Sequence, residues 1–166
     1  MITTPIPLNQ NHELSQFNCG NHDTLNDWLK FRSLKSEGLS ARTYVVCPIN
    51  EMSVIGYYCI STAIAQRVNL PSAKLRQSMP DSVPMLLIGR LAIDQQWQGK
   101  GIGSALLQDA LKRCCSASQI AGVRAIIVNA LDENAVNFYS KYGFLHYPLG
   151  ERTMLMPIEH ALKLLP

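Results

Sequence analysis

The stretch WQGKGIGSALL, Trp97 to Leu107, carries the residue types that an oxyanion needs. Glycines remove side chains, so successive backbone N–H groups can turn toward one anion, and a helix starting at the same place adds the positive end of its dipole. Three phosphate-binding designs compete for it. A P-loop requires a lysine and a hydroxyl after its last glycine, whereas Lys100 stands between Gly99 and Gly101. A dinucleotide loop requires G-x-G-x-x-G. Counting from Gly99 gives Gly101 and then Ser104, and the next β-rich run reaches Asn129 rather than an acid. The third design, Q/R-x-x-G-x-G/A, is matched by Gln98, Gly99, Lys100, Gly101, Ile102 and Gly103, with Ser104 behind them. It suits a pyrophosphate. Taken alone, these residues read more simply as a glycine-rich turn from strand to helix.

Such a loop needs a strand before it and a helix after it. MLLIGRLAI, Met85 to Ile93, is an apolar β-rich run. Beyond the loop a helix is predicted through about Cys115, with Ile102, Leu106, Leu107, Ala110, Leu111 and Cys114 on one face. AIIVNAL, Ala125 to Leu131, follows as a strand. Asp132 can cap a second helix that runs to Tyr142 and stops at Gly143, leaving Phe144 and Thr153 to Met156 as short final strands. Upstream, Asp23 to Glu37 reads as one amphipathic helix, with Asp23 as cap, Leu25, Trp28 and Leu29 as its apolar face and Gly38 as its stop. Thr43 to Cys47 and Val54 to Ile64 flank a turn at Pro48 to Asn50 and should form an antiparallel hairpin. Leu70 to Pro84 reads as a long connection. The order predicts an α/β fold with a mixed sheet.

At 166 residues one domain, 1–166, is expected. A hydrophobic share of 47% against 16% charged excludes a disordered chain, and no apolar run is long enough for a membrane span. No export signal opens the chain, so the cytoplasm is the expected compartment. Cys19, Cys47, Cys59, Cys114 and Cys115 are odd in number and irregular in spacing, which predicts reduced thiols and no metal site. A net charge of +3 permits an anionic partner but is far from that of a nucleic-acid-binding tail.

About 30 residues past the loop comes NAVNFYSKYGF, Asn134 to Phe144. The two motifs in this order resemble the GNAT N-acetyltransferases. That resemblance implies a mixed, mostly antiparallel sheet that splays at an acetyl-CoA site, flanked by helices. It implies that Gln98 to Ser104 hold the pyrophosphate of acetyl-CoA, that N–H groups near Leu91, Ala92 and Ile93 help the oxyanion, that Phe138 lines the coenzyme site, and that Tyr139 lies beside the thioester sulfur. FNCGNHDTLNDWL, RTYVVC, VIGYY and AKLRQSMPDSVPMLLIGRLAI extend the likeness over nearly the whole chain. Here it is similar to the acetyltransferase toxins of bacterial type II toxin–antitoxin pairs. What this implies is acetylation of the amino acid on a charged tRNA, which blocks translation. It also implies a ribbon-helix-helix antitoxin as partner, operator DNA reached only through that antitoxin, a homodimer, and neither a membrane nor a metal.

Acetyl transfer from a thioester to an amine needs a neutral amine, donors for the developing oxyanion and a proton for the departing thiolate. A phenol of pKa about 10 is protonated at neutral pH, so Tyr139 can supply that proton; the alternative is a tyrosine packed on the sheet. Asn134 reads equally as a donor to the pantetheine arm or as a helix cap. His12, His22, His146 and His160 are dispersed, and no general base stands out. None is required if the substrate is an aminoacyl ester, because an α-amine has a pKa of about 7.7 to 8.0 and the ester lowers it, whereas a lysine sits near about 10.4. For the RNA, Arg32 and Lys35 on the first helix, Arg76 with Lys74 in the connection, and Arg90 could form one cationic stripe or be scattered solvated charges. Trp28 and Trp97 could stack on bases, although Trp28 falls on an apolar helix face. Two rival functions use the same loop: acetylation of a small amine or a protein N-terminus, and acetyl-CoA sensing without turnover.

Overall fold

The computed structural model describes residues 1–147, 150 and 152–165. Short strands whose inward side chains are apolar and β-branched assemble into one sheet of order β1-β2-β3-β4-β5-β7-β6. These are β1 (Ile6–Pro7), β2 (Arg42–Val46), β3 (Gly56–Gln66), β4 (Ser82–Ile93), β5 (Ala125–Asn129), β6 (Leu145–His146) and β7 (Thr153–Pro157). The expected hairpin is present, with Arg42 opposite Ile60 and Val46 opposite Gly56 in antiparallel register. β5 pairs parallel with β4 and antiparallel with β7, so the sheet is mixed and mostly antiparallel. The helices are α1 (Asp23–Phe31), α2 (Ser33–Ser36), α3 (Ala73–Arg76), α4 (Ile102–Ser118), α5 (Glu133–Lys141) and α6 (Ile158–Leu164). Among the described residues no helix is long and apolar enough to cross a membrane.

The chain divides into two compact units, Met1–Ser61 with Gly89–Ala110, and Thr62–Ile88 with Leu111–Pro166. In the first, Phe17, Leu29, Val45, Tyr57 and Ala92 form the core. Tyr57 is fully buried, so its hydroxyl needs a partner, and it donates to the Leu25 carbonyl at 2.7 Å. The predicted helix over Asp23 to Glu37 is in fact two, broken at Arg32. The cause is local: the buried Ser33 hydroxyl donates to the Leu29 carbonyl at 2.5 Å, the back-bond by which serine bends helices. Nor is Asp23 the cap. His22 holds that position without a side-chain capping bond to the helix, and Asp23 sits in the first turn, where its charge favours the helix dipole.

In the second unit, Ala65, Leu70, Val83, Met85, Ala125 and Leu155 are the core. The stretch predicted as a bare connection contains a 3-10 turn at Arg67–Asn69 and the short α3, which Ser72 caps through its hydroxyl. β5 ends at Asn129, two residues before the predicted Leu131, although the Ala130 N–H still donates to the Arg152 carbonyl at 2.9 Å, in the register that pairs Asn129 with Thr153 of β7. Phe144 is buried but lies outside β6. Residues Ile102, Leu106, Leu107, Ala110, Leu111 and Cys114 of α4 are all buried, as their spacing predicts.

An ion pair ties α6 to the start of β5. Arg124 Nη1 lies 2.7 Å from Glu159 Oε2, and Arg124 Nε donates to the Leu75 carbonyl at 3.2 Å. Burial pushes the Glu159 carboxyl up, but the Arg124 hydrogen bond and charge outweigh it and hold the group below its ordinary value. A carboxyl depressed in the folded state stabilises fully above its unfolded pKa and loses that contribution as pH falls through its folded one. Glu159→Gln should therefore unfold at lower urea than the parent at neutral pH, and the two midpoints should converge as pH falls through the carboxylate range. A gap independent of pH would count against the ion pair.

Candidate active site

The β4–β5 ladder runs from Met85–Ala125 to Ile88–Val128 and stops, so residues 89–93 of β4 continue without a β5 partner. Their backbone groups on that side are left for something other than the sheet. Leu91 and Ile93 are half-buried and Ala92 is buried. Next, Asp94 caps a 3-10 turn at Gln95–Trp97, accepting from Gln96 N–H through one oxygen and from Asn18 N–H through the other, each at 3.0 Å. Gln98 then turns its amide back, and Nε2 donates to the Cys19 carbonyl at 2.8 Å and the Ile93 carbonyl at 2.9 Å.

Gly99 and Gly101 have φ of +76° and +80°, a left-handed backbone that other residues adopt at a cost. A Cβ built on either would meet nothing within 4 Å, so the glycines serve the turn and the space above them is open. α4 starts at Ile102, and the Ala105 N–H reaches back to the Gly101 carbonyl at 3.2 Å. The N–H groups before Ala105 have no carbonyl inside the helix. Lys100 is exposed beside them, and Gly103 and Ser104 occupy the first turn. Amides, a dipole, a cation and open space are the features that a diphosphate cradle requires.

In the second unit, Asp132 caps α5 by accepting from the Ala135 N–H at 2.8 Å, and Gly143, at φ +97°, ends it. Asn134 is thus not the cap; it lies exposed on the first turn. Tyr139 is 6% exposed, its ring edge-on to Phe138 at 5.2 Å and to Phe144 at 5.5 Å. Tyr142, half-buried, packs on Phe138 at 5.3 Å.

The predicted cations do not share one environment. Arg32, at the helix break, and Lys35, on α2, are both exposed. Arg90 places its guanidinium 4.4 Å from the Trp28 ring centroid, and that ring stacks on Tyr57 at 5.9 Å. The Trp28 ring is therefore already engaged by Arg90 and Tyr57. Arg76 donates to the Leu70 carbonyl at 2.6 Å and so braces its own loop. Burial pushes up all five thiols, Cys114 to about 12, which removes them as thiolate nucleophiles. His12 has burial pulling its pKa down, and its Nδ1 accepts from the Asn9 N–H at 3.0 Å. Among the described residues no cluster of His, Cys, Asp and Glu could hold a metal.

Two features escape sequence reasoning. The Tyr58 hydroxyl donates to Asp109 on α4, a pair 51 positions apart that no local pattern announces. Asn18 to Gly20 fold into a tight turn, with Asn18 Oδ1 accepting from the Gly20 N–H at 2.9 Å and Gly20 at φ +101°. The Asn-x-Gly spelling was the available signal.

Comparison with known proteins adds the following. The description Acetyltransferase (GNAT) domain matches residues 73–152. A tRNA-acetylating toxin of Mycobacterium tuberculosis is 32% identical over 160 residues, which are 96% of this chain and 94% of that protein. The structure of AtaT complexed with acetyl-methionyl-tRNAfMet superposes with a TM-score of 0.88 at 30% identity, covering 99% of this chain and 98% of the other. A tyrosine-to-phenylalanine mutant of AtaT, bound to the C-terminus of the antitoxin AtaR and acetyl-CoA, gives 0.81 at 28%, covering 98% and 97%.

The left-handed turn can be tested without any ligand. Gly101→Ala should lower unfolding stability by about 1–2 kcal/mol, the cost of an L-residue at that φ. Gly122→Ala, where φ is ordinary and the space is equally open, should be close to neutral. Denaturant unfolding of the two side by side checks this, and equal stabilities would refute the assigned turn.

Proposed function

The chain belongs to the acetyltransferase (GNAT) family, and from that premise we propose that it is an N-acetyltransferase toxin. It transfers acetyl from acetyl-CoA to the amino group of the amino acid on a charged tRNA and so blocks translation. The carrying observation is the likeness to a tRNA-acetylating toxin along 96% of the chain, joined to a loop whose backbone suits a diphosphate.

Acetyl-CoA is the co-substrate. Backbone N–H groups of Gln98 to Ser104, with the Lys100 charge, hold its diphosphate at the start of α4. The N–H groups of Leu91, Ala92 and Ile93, on the part of β4 without a β5 partner, steady the thioester oxygen as it becomes negative. Asn134 and Phe138 line the coenzyme's path. The amine nitrogen attacks the thioester carbon, a C–N bond forms, the C–S bond breaks, and the sulfur takes the Tyr139 proton. The phenolate recovers a proton from the acylated nitrogen through solvent, so the balance is amide plus free thiol. That a tyrosine-to-phenylalanine mutant of AtaT holds acetyl-CoA supports giving Tyr139 the chemistry rather than the binding. Arg32, Lys35, Arg76 and Arg90 are the proposed tRNA contacts, with Arg90 and Arg76 acting from the braced positions described above.

The same reading makes the protein cytoplasmic, homodimeric and neutralised by a ribbon-helix-helix antitoxin, through which alone it meets operator DNA. β3, β4 and α4 each run from one compact unit into the other, which supports treating 1–166 as one catalytic domain.

Induced expression should arrest growth, and Tyr139→Phe should relieve the arrest. Mass spectrometry of nuclease-digested tRNA should find N-acetylaminoacyl-adenosine in arrested cells and not with the variant. Normal growth, or polyamines acetylated far faster than charged tRNA, would replace this function with a small-amine acetyltransferase.

A further inference from the structure

We propose that the Gln98 side chain is a positioning group that clamps the phosphate loop and the end of β4 to the turn at Asn18 to Gly20, and that this side chain does not itself ligate the diphosphate. This rests on the acetyl-CoA reading above. A primary amide has two N–H bonds to give, and both are spent: one on the Cys19 carbonyl at 2.8 Å, the other on the Ile93 carbonyl at 2.9 Å. Both acceptors are carbonyls, so the amide has one workable orientation. No side-chain donor remains for a phosphate oxygen while the clamp is closed.

The clamp is one link in a chain of bonds. Asn18 N–H donates to Asp94 at 3.0 Å, Gln95 N–H donates to the Asn18 carbonyl at 2.8 Å, and Asp94 N–H donates to the Ile55 carbonyl at 2.8 Å. The Asn18 turn is itself held by α1. Asn26, 6% exposed, accepts the Cys19 N–H at 2.8 Å through its carbonyl oxygen and donates to Asn18 Oδ1 at 3.2 Å through its amide. The segment FNCGNHDTLN thus has a task that its distance in sequence conceals: it is the fixed wall against which residues 93–98 are set. Holding the Ile93 carbonyl and the loop with one amide fixes the spacing between the strand end, where the acetyl carbonyl docks, and the glycines, where the diphosphate docks. That spacing must match the length of the pantetheine arm.

Gln98→Glu places a carboxylate against two carbonyl oxygens and Gln98→Ala removes the clamp. Hydrogen exchange on each protein without ligand should show faster exchange at residues 18–20 and 95–101 than in the parent. Steady-state acetylation of charged tRNA should be run with acetyl-CoA and with S-acetylpantetheine, which lacks the diphosphate. A positioning role predicts a fall in kcat/KM of about tenfold, the effect of one to two lost hydrogen bonds, with both donors. A direct phosphate contact predicts a fall with acetyl-CoA alone and unchanged exchange, and that result would overturn the proposal, as would no fall at all. A parent protein that turns over neither donor would defeat the acetyltransferase reading instead, and the exchange data would still decide whether the clamp exists.

Discussion

Everything in the loop follows from the amides that an α-helix leaves unsatisfied at its start. The first turn of α4 cannot bond its own N–H groups, and in a buried position that would be costly. At the starts of α5 and α3 a side-chain oxygen, from Asp132 and Ser72, meets such an N–H. The approach to α4 turns Gly99 and Gly101 left-handed and leaves open space above both. A helix start approached in this way offers N–H groups that water or an anion can meet.

The same economy of unpaired backbone operates in β4. A strand that outlasts its parallel neighbour has groups with no ladder to join, and here the surplus is residues 89–93. Continuing β5 would quench them. β5 stops at Asn129, and Asp132 caps the next helix three residues later. The early stop and the cap together shorten a strand and start a helix in few residues.

Helix faces and helix ends were readable because the information is local. The buried stripe of α4 is a 3.6-residue period in one stretch, and the Asp132 cap and the Gly143 stop of α5 are single-residue signals. The break at Arg32 was not readable, since the stripe of Leu25, Leu29 and Ser33 continues through it and only the Ser33 hydroxyl decides the bend. The Gln98 clamp spans 79 positions and its residues have no common pattern. Cations were the least readable. Arg76 and Arg90 look alike as letters, but one is spent on a carbonyl of its own loop and the other on an aromatic face.

The proton inventory sets a condition on the substrate. Thiols pushed up by burial do not take a proton from an amine at neutral pH. His12, the histidine whose pKa burial lowers, is buried and has its Nδ1 occupied by Asn9 N–H, so it is not placed to serve as a base. Tyr139, held edge-on between Phe138 and Phe144, is suited to giving a proton and not to starting as an acceptor. On the proposed reading Tyr139 gives the leaving group its proton, and neither the thiols nor His12 serves the nucleophile, a pairing that suits amines already neutral. An α-amine next to an ester meets that condition and a lysine ammonium does not.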